Sequence, residues 1–275
     1  MNKYMIAILL LALFGLAVWV YRYGFDEGLT YRNYDLKDPR IVDPVRIVFL
    51  SDLHSNQYGD QQADLMAMVD EAQPDLVILG GDIIDEKMPQ GPAQDFLSQI
   101  VSRYPVFFAT GNHEYYEGQG PAMKALVRSY GIPVLEGETR FFDKGQTRLV
   151  IAGIDDLIAG QKDAQWQAVS QELEANKGYY RILINHRPES FPLFGHGPID
   201  LMLAGHAHGG QWRIPGLING VYAPNQGLLP LYAGGYYRNT NDVEMIVSRG
   251  LETQKHHVPR IFNPPEVVVI DLKGE

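Results

Sequence analysis

The sequence predicts an α/β protein, in which strands and helices alternate along the chain after one apolar N-terminal helix. Two observations support this prediction. Five short apolar runs between residues 46 and 204 are typical of strands that are buried on both faces. Segments whose apolar residues have helical spacing alternate with such runs, at 61–72, 93–101, 121–130 and 164–175.

The N-terminal run from Tyr4 to Tyr21 is uncharged and close to the length that a helix needs to cross a bilayer. A cleaved signal peptide would have a shorter apolar core and a small-x-small site, whereas this run ends in the bulky sequence VWVY. A buried soluble helix is disfavoured because the run is apolar on all sides. We therefore expect residues 1–22 to form a single-pass anchor in the inner (cytoplasmic) membrane.

The remaining chain divides into residues 23–44, which are mixed in charge and predicted to be a tether, and residues 45–275, predicted to be one catalytic domain. Lys3 precedes the apolar run, whereas four basic residues follow it: Arg22, Arg32, Lys37 and Arg40. Counted this way, the charges favour a catalytic domain on the cytoplasmic side. Single N-terminal anchors often adopt the opposite orientation, so both sides stay open.

A polar motif follows each of five strand-like runs, which are 46–50, 76–79, 106–109, 181–184 and 201–204. The motifs are Ser51-Asp52-Leu53-His54, Gly80-Gly81-Asp82, Gly111-Asn112-His113-Glu114, Asn185-His186 and Gly205-His206-Ala207-His208. Ligands bind at the carboxyl ends of strands in open α/β sheets, so the motifs are expected to converge. Because residues i and i+2 of a strand share a face, each D-x-H or H-x-H pair would present two ligands to one site.

The chemistry of these side chains indicates a divalent metal site. Imidazole, carboxylate and amide oxygen bind Mn²⁺, Fe²⁺ and Zn²⁺, and the chain has no cysteine to supply a thiolate. The other histidines, His196, His256 and His257, have no partners at metal-binding spacing and are expected to be structural or at the surface. Asp155 and Asp156 are interpreted as loop caps, and Arg187 as a solvated charge or a phosphate contact.

In their order, the motifs resemble the calcineurin-like metallophosphoesterase superfamily, whose pattern runs D-x-H, G-D-x-x-D, G-N-H-E, H and G-H-x-H. The resemblance extends from about Arg46 to the C-terminus and implies a four-layer α-β-β-α sandwich. It also implies two divalent ions, Mn²⁺ in the first place and Zn²⁺ or Fe²⁺ as alternatives. The implied ligands are Asp52, His54, Asp82 and His208 for one ion and Asp82, Asn112, His186 and His206 for the other, with Asp82 bridging.

The same resemblance implies a catalytic role for His113, which would approach the phosphoryl oxygens or the leaving group without binding metal. Asp85 completes the G-D-x-x-D pattern as a supporting residue. The two ions would stabilise the attacking and leaving oxygens during in-line attack on phosphorus. A protonated His113 would assist the departing oxygen.

Three further blocks, 205–211, 247–251 and 264–266, resemble the YkuE- and YaeI-like membrane-associated phosphodiesterases. Some members of that branch are similar to the lipid-A-pathway pyrophosphatases that hydrolyse UDP-2,3-diacylglucosamine. The resemblance implies a phosphodiester or pyrophosphate hydrolase that acts at a membrane on a lipid-linked substrate. The chain lacks the twin-arginine signal that this branch often carries.

Two other functions remain open: a broad-specificity phosphomonoesterase or protein phosphatase with the same metals, and a non-enzymatic membrane scaffold, which would not require an intact ligand set. Few Lys and Arg residues lie near the motifs, which favours a diester or pyrophosphate over a dianionic monoester. The net charge of −10 disfavours nucleic acid as a partner, and nothing indicates a protein partner. The apolar segment 221–237 either packs ordinarily or receives acyl chains.

Overall fold

The computed structural model describes residues 2–253 and 259–275. Within them the α-helices are α1 (Lys3–Gly24), α2 (Ala63–Ala72), α3 (Gly91–Val101), α4 (Gly120–Ser129), α5 (Lys162–Ala175) and α6 (Phe191–Phe194). His256 and His257, which we expect to be structural, lie outside the described residues.

The strands are β1 (Thr30–Lys37), β2 (Val45–Leu50), β3 (Leu76–Leu79), β4 (Val106–Phe108), β5 (Glu138–Lys144), β6 (Thr147–Gly153), β7 (Tyr180–Ile184), β8 (Leu201–Ala204), β9 (Tyr222–Ala223), β10 (Gly227–Leu228), β11 (Gly235–Arg238), β12 (Glu244–Val247) and β13 (Glu266–Lys273). The first main sheet has the order β1-β13-β2-β3-β4, and the second has the order β11-β12-β8-β7-β6-β5. Strands β9 and β10 form a separate short hairpin.

The two main sheets pack face to face and carry helices on their outer faces. Along β2, Ile47 and Phe49 point into the layer between the sheets, whereas Val48 and Leu50 point toward α2 and α3. The second sheet sends alternate residues into the same inner layer and packs its other face on α5 and α6. Because both faces of these strands are buried, their sequences are continuously apolar. The structure confirms the predicted four-layer α-β-β-α sandwich.

The segment 23–44, which we predicted to be a tether, contains a strand of the first sheet. Residues Thr30–Lys37 form β1, which pairs in parallel along its whole length with β13. Its side chains are mostly polar and partly exposed because β1 is an edge strand, so the apolar signal used to find the other strands is weak here. At least this part of the segment belongs to the folded body.

Helix α1 is, among the described residues, the one helix long and apolar enough to cross a membrane by length and composition. Its last turn contacts the folded body. The amide of Phe262 donates to the carbonyl of Gly24 at 2.7 Å, and the Phe262 ring lies 4.9 Å from that of Trp19. The helix therefore ends against the segment that precedes β13.

The inner layer between the sheets should make a large contribution to stability. Ile182 on β7 is fully buried there, so Ile182→Ala should lower the free energy of unfolding by about 2–5 kcal/mol. Ile158→Ala is the matched control, because Ile158 is 44% exposed and its truncation should change stability by less than about 0.5 kcal/mol. Denaturant midpoints of the detergent-solubilised protein measure both. Equal losses would contradict the assignment of the inner layer as the core.

Candidate metal centre

The five polar motifs come from both main sheets and meet at one edge of the sandwich. Strands β2, β3 and β4 of the first sheet lead into the loops that carry Asp52, Asp82 and Asn112. Strands β7 and β8 of the second sheet lead into those that carry His186 and His206. Each motif follows the carboxyl end of its strand, as predicted. The convergence spans two sheets packed face to face.

Two groups of potential ligands form there from predicted ligands alone, beside a third group that joins His54 with Asp85 and His113. Asp52, His54 and His208 make one group, and Asp82, His186 and His206 make the other; in each group the ligand atoms lie within 4.8 Å of one another. All six residues are buried. The groups agree with the division into two ions that the family resemblance implies.

Asp82 lies between the two groups. Its Oδ2 is 3.0 Å from His186 Nε2 and 3.7 Å from His54 Nε2, while its Oδ1 accepts from the amide of His113 at 2.8 Å. Burial alone would raise the pKa of this carboxyl, but the positive charges of His186, His54 and His113 outweigh it and hold the pKa well below the usual value. Asp82 is thus placed to bridge two cations.

Asn112, the seventh predicted ligand, is 3% exposed and lies in the loop after β4. Its Oδ1 is buried without a hydrogen-bond donor within the described residues, and His186 Nε2 also lacks a hydrogen bond of proper geometry there. Buried polar atoms normally have a hydrogen-bond partner, so the absence of one at both of these atoms needs an explanation. Divalent cations fit, because amide oxygen and imidazole nitrogen are both metal donors.

The backbone at these ligands differs from the strand-like alternation that we predicted. Asp52, His54, Asp82, His206 and His208 all have left-handed φ values, between 47° and 64°. They lie in tight turns after the strands, so the i, i+2 argument does not describe them. Asp52 and His54 still join one group, whereas His206 and His208 join different groups because the turn after β8 separates them. Left-handed backbone at non-glycine residues costs energy and is typical of functional sites.

Two glycines in the motifs are required by close packing. Gly81 has φ of 92°, and a Cβ there would collide with the backbone of Gly111. A Cβ on Gly111 would in turn collide with the Asp82 carboxylate. The loops after β3 and β4 therefore approach each other only because both residues lack a side chain.

Glu114, which received no role from the sequence, joins these two loops. Its buried carboxylate accepts from the amides of Asp82, Ile83, Ile84 and Gly111 at 2.7–3.1 Å. Burial, followed by the negative charge of Asp82, raises its pKa to about 7 despite these hydrogen bonds. In the sequence, Glu114 is marked only as the fourth residue of the G-N-H-E motif. Only the fold shows that backbone amides of another loop surround its carboxylate.

The imidazoles are oriented by partners behind them. His186 Nδ1 lies 2.7 Å from the carbonyl of Gly80, His208 Nδ1 lies 2.6 Å from Glu252, and His206 Nε2 lies 2.8 Å from Asn225 Oδ1. Such partners fix the tautomer and direction of a metal-binding imidazole. Burial and the charge of His186 lower the pKa of His206 to about 4, which favours the neutral form that binds metal.

Sequence reasoning missed Glu252 and Asn225 as partners of histidines. Glu252 follows the block 247–251 and Asn225 lies within the segment 221–237, but neither lies at a spacing that connects it with a histidine in sequence. Glu252 follows β12, and Asn225 lies in the hairpin turn between β9 and β10. Tertiary structure alone brings them to the centre.

His113 lies beside the two groups and is more exposed, with 25% of its side chain accessible. Its Nδ1 is 2.8 Å from Glu86 and 3.2 Å from Asp85. Burial would lower its pKa, but the hydrogen bond to Asp85 and the charge of Asp82 raise it. Asp85 also lies 3.0 Å from His54 Nδ1, so it supports both histidines.

Arg187 is not the solvated charge that we considered, since its side chain is 7% exposed. Its guanidinium makes two hydrogen bonds to Asp156, at 2.6 and 3.0 Å, and one to Asn225 Oδ1 at 2.7 Å. Asp156 also caps the amide of Ile158, as predicted for a loop cap. Asp155 instead accepts from the Thr110 hydroxyl and pairs with Lys124 at 3.1 Å.

His196 lies away from the centre, near the start of the β8 strand. It is exposed, and its Nδ1 contacts the Asn241 side chain at 2.6 Å. This agrees with the predicted surface role.

Comparisons with known proteins agree with this geometry. Residues 45–210 match the calcineurin-like phosphoesterase family. The Escherichia coli phosphodiesterase YaeI is 33% identical over 73% of each chain. An uncharacterized metallophosphoesterase of Campylobacter jejuni is 28% identical over 89% of this chain and 63% of its own length.

Among solved structures, the Haemophilus influenzae NAD nucleotidase superposes with a TM-score of 0.50 at 16% identity, covering 77% of this chain and 46% of the other. This likeness concerns the fold alone. Together with the family match and the similarity to YaeI, it accounts for the order of the motifs and for the sandwich. The chain belongs to the calcineurin-like phosphoesterase family and is a metal-dependent phosphoester hydrolase.

Proposed function

We propose that this protein is a two-metal phosphodiester or pyrophosphate hydrolase that acts at the inner membrane on a lipid-linked substrate such as UDP-2,3-diacylglucosamine. The observation that carries the two-metal part is the position of Asp82 Oδ2 between His54 and His186. Asp52, His54, Asp82 and His208 would hold one ion, and Asp82, Asn112, His186 and His206 the other. Mn²⁺ suits this set of nitrogen and oxygen donors.

When bound, the two ions supply an activated water and stabilise charge on the phosphoryl oxygens. The protein contributes orientation. Glu114 holds the loops after β3 and β4 together, and Glu252 directs the His208 ring. His113, whose ring nitrogen lies within 3.2 Å of Asp85 and Glu86, would donate a proton from its ring to the departing oxygen.

A diester or pyrophosphate suits the charge of the site. The guanidinium closest in sequence to the ligands, that of Arg187, is already paired with Asp156. It therefore offers less charge to a dianionic monoester than a free arginine would. This supports the diester or pyrophosphate reading over the phosphomonoesterase or protein phosphatase.

The membrane part of the proposal depends on α1. Residues 1–22 would anchor the chain and residues 45–275 would form the catalytic domain, with β1 packed on it. The excess of basic residues after the apolar run Tyr4–Tyr21 favours the cytoplasmic side for the catalytic domain. The apolar segment 221–237 lies beside the centre through Asn225 and is available to contact acyl chains.

Asp82→Asn should remove metal more severely than any other single change, because it weakens both ligand groups. We expect bound Mn²⁺ to fall from about two ions per chain to less than one. Elemental analysis after gel filtration measures this. Asp143→Asn is the control, because Asp143 lies on β5 with 54% of its side chain exposed. Full retention of both ions by Asp82→Asn would contradict the bridging role.

His113→Asn should lower the rate of diester hydrolysis by about 10²–10⁴-fold, as expected for loss of a general acid. Bound metal should stay unchanged, since His113 belongs to neither metal-binding group in our assignment. The rate and the metal content should be measured on the same preparation. Loss of metal would show that His113 is a ligand.

The substrate can be tested with detergent-solubilised, Mn²⁺-loaded protein. UDP-2,3-diacylglucosamine, bis-p-nitrophenyl phosphate and p-nitrophenyl phosphate are compared, with Asp82→Ala as the blank. We expect the lipid nucleotide to react fastest and to release UMP. Hydrolysis of the soluble esters alone would support phosphoesterase activity and contradict the proposed lipid substrate. No hydrolysis of any of the three compounds would favour the non-enzymatic membrane scaffold.

A further inference from the structure

The topology attaches α1 to the edge of the sandwich that carries the metal centre. Strand β1 is parallel to β13, and β13 is antiparallel to β2. The start of β1, which follows α1, therefore lies at the same edge as the carboxyl end of β2, where Asp52 is found. A helix in a bilayer would hold this edge, rather than the opposite one, close to the lipid.

Backbone hydrogen bonds connect the end of α1 with the loop region 211–231. Phe262, bonded to Gly24, follows Ile261, which exchanges bonds of 2.9 and 3.1 Å with Arg213 and Gln211. The amide of Val221 donates to the carbonyl of Trp212 at 2.9 Å, and that of Leu229 donates to the carbonyl of Val221 at 2.8 Å. The loop region and α1 thus form one continuous structure.

This loop region exposes large apolar side chains on its surface. Leu217 is 80% exposed at the tip of the turn 214–218, and Leu228 is 76% exposed. Leu228 pairs with Tyr222 across the hairpin of β9 and β10, so the two side chains share a face. The exposed set, which we call the apolar apron, is Trp212, Ile214, Leu217, Tyr222, Leu228, Leu229 and Leu231.

This many large apolar side chains exposed on one loop region are costly in water and indicate an interaction site. The apron lies beyond the region that matches the family, which ends at residue 210. It also reaches the metal centre, because Asn225 in its hairpin contacts both His206 and Arg187. Whatever covers the apron would therefore lie next to the site of hydrolysis.

Two arginines contact the carboxylate of Glu266 near the apron, and a third, Arg213, lies in the loop region itself and bonds to Asn219. Arg249 and Arg32 are 3.3 and 3.8 Å from this carboxylate, and the Arg32 side chain is 45% exposed. Burial, with repulsion from Arg249 and Arg32, lowers the pKa of Arg213 to about 10. Arg249 is buried, so Arg32 and the partly exposed Arg213 are the cations beside the apolar side chains that fit the headgroups of an anionic bilayer.

We propose that the apolar apron docks into the lipid surface, as a second membrane contact besides α1, and that the metal centre thereby faces the plane of the bilayer. The occupant is lipid, because the apron continues from the membrane-spanning candidate α1 and has Arg32 and Arg213 beside it. This inference rests on the proposed membrane anchorage. A lipid-linked substrate would then reach the centre along the apron without leaving the bilayer.

The experiment uses single-cysteine variants of the full chain, which has no native cysteine. Leu217→Cys and Leu228→Cys place a nitroxide label on the apron. Val42→Cys is the matched control: Val42 is 57% exposed and lies before β2, at the opposite edge. The labelled proteins are reconstituted into vesicles of phosphatidylcholine and phosphatidylglycerol. Collision with oxygen, which enters lipid, is compared with collision with a water-soluble nickel chelate.

We expect the oxygen-to-nickel ratio to be several-fold higher at positions 217 and 228 than at 42. Equal ratios at all three positions would place the apron in water and overturn the proposal. Low accessibility to both reagents at 217 and 228 would show that a protein covers the apron, which also overturns it.

Hydrolysis of bis-p-nitrophenyl phosphate by the same vesicles separates this inference from the proposed function. If the labels lie in lipid but no ester is hydrolysed, the docking proposal is supported and the proposed hydrolase activity is contradicted. If the ester is hydrolysed but the labels lie in water, the proposed hydrolase activity is supported and the docking proposal is contradicted.

Discussion

The structure depends on one electrostatic constraint: buried carboxylates and imidazoles must meet where two apolar sheets end. Asp82 is the centre of this arrangement, since its carboxylate is surrounded by His186, His54 and the amide of His113. A carboxylate in such a place is stable only with positive charge beside it. Divalent cations would supply that charge, which links the stability of this edge to its chemistry.

The strain that this convergence requires is offset by the residues behind it. Five predicted ligands occupy left-handed backbone conformations, and such conformations persist only when their surroundings determine them. Glu114 does this for the loops after β3 and β4 through its bonds to backbone amides, and the glycines let the two loops approach. The rigid sandwich underneath supplies the rest, because its inner layer fixes the ends of the strands.

The polar centre and the apolar apron are two parts of one edge. Asn225 belongs to the hairpin that exposes Tyr222 and Leu228, yet its side chain contacts His206 and Arg187. A change in the position of the apron would therefore reach His206, a predicted metal ligand, through one side chain. The docking proposed for the apron would thus bring the metal centre next to substrates held in a membrane.

By itself the sequence determined the sandwich, the strands β2, β3, β4, β7 and β8, and the family, because continuous apolar runs and ordered polar motifs are local signals. The ligand assignments remain predictions, although the structure brings all seven residues to one edge. Only the tertiary structure decided that β1 is a strand, since a polar edge strand lacks the apolar pattern, and that the predicted ligands lie in tight turns rather than in strand-like alternation. It also decided the roles of Glu114, Glu252 and Asn225, whose partners are distant in sequence. Contacts between distant segments follow from packing, and no local pattern records them.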